Sequence, residues 1–260
     1  MSPFKPINLI VVFISFCMLF SSCDSALSDV ELEDPSLIHP YIMAIREILP
    51  DNEVNYRFEA WIYDKNYNLV ELKKGYVRLD GEEMGKDSVY ISFINDLGFH
   101  VENGKYYIAP EGFGDIVFDT QYDVEIELSD EEVYNSYVIT HDEPFVSTAV
   151  SETHIQGEDM RIHWAVVNDY KMRVKLRYTV EENDGPHRYA YSTTIPEDSL
   201  LTGSFTIDGE NFNMVNDEYE AIIRLENWKP GVMNVELGEY SDINSIHAVE
   251  KLCIVYPLEN

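Results

Sequence analysis

Positive charge is scarce in this chain: 18 Lys and Arg stand against 48 Asp and Glu, a formal net charge of −30 over 260 residues. A field of that sign repels phosphate backbones and anionic headgroups, which excludes nucleic acid as a partner and excludes a general binder of polyanions. Cysteine is equally scarce, with Cys17, Cys23 and Cys253 making up the full set. Three scattered thiols offer neither a disulfide framework nor the paired spacing of a zinc site. No apolar run reaches the roughly 20 residues a membrane helix takes, since the longest, Leu9 to Phe20, is a stretch of 12. Catalytic signatures are absent too, with no G-x-S-x-G, H-E-x-x-H, P-loop or calcium-loop motif. Gly112-Phe113-Gly114 lacks the third glycine and the helix of a dinucleotide site. Acids abound, but a glycoside hydrolase needs two held about 5–9 Å apart across a cleft, and abundance supplies no such geometry. The expectation is a protein that is not an enzyme and calls for no cofactor. Disorder is excluded by 18 Tyr, 12 Phe and 3 Trp, which give the chain a core to bury.

The N-terminus has the order of an export signal. Lys5 is the positive start, Leu9 to Phe20 the apolar stretch, and Leu19-Phe20-Ser21-Ser22-Cys23 the end. This end resembles the lipobox of bacterial lipoproteins, with a small residue before the modified cysteine and Phe20 where a smaller aliphatic is usual. The resemblance implies a signal peptide over 1–22, lipid on Cys23 and an acidic tether over 23–36. It also implies export to the outer membrane or cell surface, with the membrane reached through the lipid anchor. Cys17 then leaves with the signal and Cys23 is acylated, so Cys253 is expected as a small buried hydrophobe.

Beyond the tether the chain alternates with the period of half-buried strands. In Tyr56–Tyr63 the inward set is Tyr56, Phe58, Ala60 and Ile62; in Gln121–Leu128 it is Tyr122, Val124, Ile126 and Leu128. Lys171–Val180 repeats the pattern from Met172 to Val180. Shorter candidates are Gly75–Leu79, Val89–Phe93, Val133–Thr140, Met160–Trp164, Arg188–Thr194, Tyr219–Asn227 and Val249–Tyr256. Leu79-Asp80-Gly81-Glu82 and Asn183-Asp184-Gly185 are turn signals. The stretch from Ile38 to Leu49 fits a helical face or a first strand. The expected class is all-β. His141-Asp142-Glu143-Pro144 reads as a hinge, giving one antiparallel β-sandwich over 37–143 and another over 144–260.

In the first unit, Tyr56-Arg57-Phe58-Glu59-Ala60-Trp61-Ile62-Tyr63-Asp64, Tyr76–Gly81 and Thr120–Ile126 resemble bacterial immunoglobulin-like surface repeats. In the second, Met160-Arg161-Ile162-His163-Trp164 resembles an early core strand of the immunoglobulin or fibronectin type III sandwich. The resemblance implies architecture and carries no functional residues.

Four sets of residues are candidates for function. Trp61 and Tyr63 sit on the polar side of their strand, as a stacking platform for sugar rings or as a strand covered on both faces; the covered strand is the expectation. Lys171, Arg173, Lys175 and Arg177 share one strand face, with Arg161 and His163 on a possible neighbour. They form a basic patch for an anionic glycan or acidic partner, or a row paired across strands with Glu220 and Glu226, and pairing is the expectation. Asp142, Glu143, Glu158 and Asp159 crowd the hinge, as Ca²⁺ ligands or, as expected here, as a solvated linker. Ser25, Ser88 and Ser199 follow Asp and precede a small or aliphatic residue. They resemble the O-glycosylation motif some bacteria use on exported proteins.

Together these point to a cell-envelope module that binds a glycan or another envelope protein, or serves structurally. Two alternatives are a fimbrial-type subunit, marked by a terminal strand free to donate to a neighbour, and a surface glycan hydrolase or its accessory subunit, marked by a cleft with convergent acids.

Overall fold

The computed structural model describes residues 34–258, apart from 66–67, 73, 96–97, 129–130, 144–146, 166–170, 183–184, 213–214 and 216. For 89–95, 98–105, 147–149, 181–182 and 185 it describes the backbone alone. Cys23, Ser25, Pro144 and nearly all of the tether therefore lie outside the described residues.

The fold is all-β, as the alternation requires. In chain order the strands are β1 (Ile38–Ile48), β2 (Val54–Asp64), β3 (Tyr76–Leu79), β4 (Glu82–Glu83), β5 (Gly85–Asn95), β6 (Gly98–Ile108), β7 (Gln121–Glu127) and β8 (Val133–Ile139). They continue with β9 (Ser147–Ala149), β10 (Thr153–Ile155), β11 (Met160–Trp164), β12 (Lys171–Glu182), β13 (Gly185–Thr194), β14 (Ser204–Ile207), β15 (Tyr219–Pro230) and β16 (Asp242–Tyr256). Among the described residues one short α-helix, α1 (Glu197–Thr202), ends on Gly203 in the left-handed conformation. The first turn signal sits where expected: Asp80 and Gly81, at φ 50° and 82°, join β3 to β4. Of the second, Asn183 and Asp184 lie outside the described residues, between the end of β12 at Glu182 and the start of β13 at Gly185.

One long sheet runs through the whole molecule in the order β13-β12-β15-β16-β1-β2-β6-β5, with β10 also on β16. The ambiguous first segment is a strand. Its parallel ladder with β16 begins at Tyr41, one residue past Pro40, so the proline stands at the unpaired end of that ladder. Most pairings are antiparallel; β1–β16 and β10–β16 are parallel. Two smaller sheets cover the inner face of the long one: β4-β3-β7-β8 over one part and β14-β11-β9 over another.

Two hydrophobic cores result. The first packs Ile42, Phe58 and Ile62 of the long sheet against Val77, Val124 and Val138 of the four-stranded sheet. The second packs Val174, Ile223 and Cys253 against Met160, Ile162 and Ile207 of the three-stranded sheet. These are two sandwiches that share a sheet, so the sequence on either side of residue 143 is not segregated between them. Leu237 and Ile243 from the far end of the chain belong to the first core, with Met233 packed on it, while Ile48 of β1 packs on the second. Tyr137 and Val232 exchange backbone hydrogen bonds of 2.9 and 2.8 Å, tying the β15–β16 connection to β8.

Between the cores the inner face is polar. Arg46 Nη1 lies 3.0 Å from His247 Nε2, and its guanidinium stacks 4.7 Å from the Phe118 ring. His141 Nδ1 lies 3.1 Å from Ser245 Oγ, and the two imidazoles meet edge to face at 6.1 Å. Burial, reinforced by Lys229, pushes His141 down to about 4. Burial and the Arg46 charge push His247 down to about 3.

Candidate functional site

Alternation along the long sheet sends every second side chain away from the cores, and this outer face carries Trp61 and Tyr63 of β2 and the basic row Lys171, Arg173, Lys175 and Arg177 of β12. Its apolar cluster is drawn from β1, β15 and β16 alone: Ile45, Trp228, Ile246 and Ala248, with Tyr41 and Met43 packed on it.

Trp61 is half-buried and stacks on Tyr106, with ring centroids 4.4 Å apart and planes 14° from parallel. Its Nε1 donates to Glu59 at 3.3 Å. One ring face is thus taken, by a neighbouring aromatic on β6. Tyr63 is half-buried on the same strand. Tyr41 is the register partner of Trp61 on one side and of Asp242 on the other. Burial first, and then Asp242, pushes its phenol up to about 12.

The basic strand is compensated from its own sheet. Lys175 Nζ lies 2.7 Å from Glu226 Oε1, and Arg177 reaches both carboxylate oxygens of Glu250 at 2.9 and 3.0 Å. Arg224 sits at the centre, bonded to Glu226 at 2.7 Å, to Glu250 at 3.2 Å and also to Glu47. Arg57 extends the ladder to Glu47 at 3.6 Å and Glu59 at 3.2 Å. All four glutamates are buried. Burial alone would raise the Glu226 carboxyl; hydrogen bonds and charge from Lys175 and Arg224 outweigh it and hold the group below the usual range. Arg173 lies over the Trp228 ring at 4.8 Å, and Lys171 is exposed opposite the same tryptophan. The expected partner Glu226 is used, and Glu250 takes the place foreseen for Glu220.

Arg161 and His163 do not join this face. They project outward from β11 in the three-stranded sheet, where Arg161 Nη2 reaches Ser204 Oγ at 3.4 Å, so the basic patch drawn from sequence is divided between two layers. The hinge carboxylates are not gathered either. Asp142 pairs with Lys229 at 3.5 Å, Asp159 accepts from the Gly209 amide at 2.8 Å, and Glu143 and Glu158 are exposed. Among the described residues no three His, Cys, Asp or Glu form a group able to hold a metal ion. Ser88 is exposed at the start of β5, and Ser199 is half-buried in α1.

A cavity of about 860 Å³ opens where β12, β13 and β15 meet. Three tyrosines stack beside it: Tyr178 lies between Tyr219, at 4.7 Å and 22°, and Tyr189, at 5.2 Å and 18°. Tyr178 and Tyr219 are buried, and Tyr189 is the half-exposed end of the stack. The Tyr178 hydroxyl donates to the Asn211 carbonyl at 2.8 Å, which fixes the middle ring. Arg177 and Arg188 line the cavity together with Asp217, Glu218 and Glu220. Sequence reasoning assigned Tyr178 to the core, counted Arg188 only as the last of six cations that begin at Arg161, and gave Tyr189 and Asp217 no role. The stack takes one ring from each of three strands, and no local pattern signals that.

No family model matches the chain, and no curated protein matches it. Among solved structures, it is similar to the Bacteroides ovatus mixed-linkage glucan utilization locus SGBP-B in complex with a mixed-linkage heptasaccharide, at 9% identity. The match covers 83% of this chain, spans 62% of the length of that one, and has a TM-score of 0.19. A superposition of that quality carries no argument about fold or ligand.

Proposed function

We propose that this protein is a non-enzymatic module of the bacterial envelope, lipid-anchored through Cys23 at the outer membrane or cell surface, and that it holds a glycan at the cavity beside Tyr189. The observation that carries the reading is the tyrosine stack ending in a half-exposed ring on the wall of a cavity that Arg188 and the acids of residues 217–220 also line. An aromatic ring offers its face to the C–H side of a sugar, and charged forks beside it satisfy hydroxyls and acidic substituents. The stack is rigid before any ligand arrives, so little ordering entropy is lost on binding.

Two features weigh against the alternatives. A glycoside hydrolase holds two carboxyl groups about 5–9 Å apart across a cleft, whereas the acids that line the cavity come from one segment, residues 217–220. For a donating fimbrial subunit a terminal strand must be free, yet the first and last strands among the described residues are both paired on two sides: β1 lies between β16 and β2, and β16 between β15 and β1.

The test is a glycan array probed with the mature chain carrying Cys23→Ser, followed by titration of the best oligosaccharide. Tyr189→Ala and Arg188→Ala should each weaken binding at least tenfold while the melting temperature holds. Binding untouched by both substitutions removes the cavity from the reading, and no retention on any glycan removes the ligand class. The anchor is tested separately: a fatty-acid probe should label the wild-type chain and fail to label Cys23→Ala.

A further inference from the structure

We propose that the glycan is a neutral, extended chain whose far portion lies in a second cavity, against Tyr256 at the end of β16. The inference rests on the glycan reading above and adds chain length and charge to it. The second cavity, of about 680 Å³, is walled by β10, by Glu158 and by Tyr256, Pro257 and Leu258. Apolar side chains stand in water there. Ile155 and Tyr256 are register partners on the parallel β10–β16 ladder. Each is 40% exposed, and Leu258 just beyond is 46% exposed. Leu252, also 40% exposed, lies on the same face of β16 as Tyr256 and lines the first cavity. In a chain with 25% charged residues, four exposed apolar side chains on and beside two adjacent strands mark a contact surface.

Continuity with the first cavity says what occupies it. Tyr219, in the wall of the first, is the register partner of Val255, and the next residue, Tyr256, is in the wall of the second. Buried Gln156 locks the two walls together. Its amide donates to the Tyr256 carbonyl at 2.9 Å. Its side chain donates to the Asp217 carbonyl at 3.0 Å and accepts from the Val215 amide at 2.7 Å, and both of those residues line the first cavity. On the far side His154 packs on Phe212, ring centroids 4.4 Å apart, with Nε2 2.8 Å from the Glu158 carbonyl oxygen. Walls held in this way lose little freedom when a ligand arrives.

Register sets the length. The row Tyr189–Tyr178–Ala221–Cys253 crosses from β13 to β16 and ends three residues short of Tyr256. Three strand spacings and three residues put Tyr189 and Tyr256 roughly 17 Å apart. A disaccharide reaches one of these rings and not both; a chain of several sugars reaches both. Charge sets the class. Asp217, Glu218 and Glu220 at the first cavity and Glu158 at the second outnumber Arg177 and Arg188, and Arg177 is already held by Glu250. A chain of uronic acids would be repelled along this track, whereas the hydroxyls of a neutral chain donate to carboxylates and its C–H faces cover the apolar side chains.

The experiment is calorimetric titration of the mature chain carrying Cys23→Ser with the disaccharide, tetrasaccharide and hexasaccharide of the glycan that the array selects. The hexasaccharide should bind at least tenfold more tightly than the disaccharide. Tyr256→Ala should weaken the hexasaccharide at least fivefold and leave the disaccharide unchanged, whereas Tyr189→Ala should weaken both. Should Tyr256→Ala misfold, Leu258→Ser, which lies past the last strand pair, supplies the second reading: a loss of at least twofold for the hexasaccharide alone. Equal affinity for the disaccharide and the hexasaccharide, a length dependence that survives both substitutions, or selection of a polyuronate by the array would each overturn the proposal and leave a glycan at Tyr189 standing. Retention of no glycan at all would instead sink the glycan reading, and the extended chain with it.

Discussion

Arg46 of the first strand and His247 of the last stand 3.0 Å apart, with the guanidinium donating to His247 Nε2 across the parallel β1–β16 pair. An acceptor Nε2 means a neutral imidazole, and the cation beside it keeps it so. His141, edge-on to His247, is neutral for the same first reason, burial.

These two histidines make stability depend on pH in a stated window. In the unfolded chain both titrate near 6.5, whereas in the fold they bind protons only at about 4 for His141 and about 3 for His247. The unfolded state thus holds more protons below pH 6.5. Their contribution is complete above that value and is lost as pH falls from 6.5 toward 4, at about 1.4 kcal/mol per pH unit for each group. Denaturant titrations at pH 7.5, 6 and 5 should show the decline, and His247→Gln should roughly halve its slope. An unchanged slope would remove His247 from the account.

The ion ladder makes a second, more acid dependence. Glu226 is held below its ordinary pKa, so its stabilisation is present above about pH 4.5 and lost as pH falls through the folded value. Removing the hub is the sharper test. Arg224→Met strands buried Glu47, Glu226 and Glu250 without their shared cation and should cost about 3–5 kcal/mol. Lys175→Glu sets a like charge against Glu226 and should lower the melting temperature by several degrees. A wild-type melt for both variants would mean the ladder contributes nothing.

Division of the chain near residue 143 should not yield an independent first sandwich. Residues 34–143 alone lack Leu237 and Ile243 from the first core and leave β1 without β16. Circular dichroism and gel filtration of that fragment should show an aggregated or unfolded chain, and adding residues 231–258 through a linker should restore sheet structure. A fragment that folds alone would show the shared sheet to be dispensable.

Cys253 should be chemically silent in the fold. It is fully buried, and burial pushes its thiol up to about 11, so the thiolate that reacts is absent at neutral pH. In the Cys23→Ser mature chain, iodoacetamide at pH 8 should leave the native protein unlabelled and modify one site after denaturation.

Much of the fold was legible because period-two alternation is local. Phe58, Ala60 and Ile62 are buried between polar neighbours in β2, and Val174 and Leu176 in β12, as their spacing demands, since successive side chains of a strand point to opposite faces. The Asp80-Gly81 turn was legible for a similar reason, because positive φ at both positions is a property of those two residues. The first strand was not settled by its sequence. Its apolar spacing suits a helix as well, and β16 and β2 on either side decide it.

Partnership was left to the tertiary structure. Glu250, two strands from Arg177, neutralises it, because the β15–β16 register sets Glu250 opposite Arg224, whereas the β12–β15 pairing ends at Tyr178–Ala221, short of Glu220. Arg161 and His163 alternate with core residues as legibly as Arg173 and Lys175 do, yet belong to the opposite layer. The sequence by itself determined which side chains face inward, the all-β class and the excess of acid. Only the tertiary structure decided that the first strand lies against the last, that one sheet serves two cores, and that three tyrosines from three strands form one stack. The physical reason is range: a strand's alternation is imposed by its own backbone, whereas its neighbours are chosen by packing and hydrogen bonding among segments of the chain far apart in sequence.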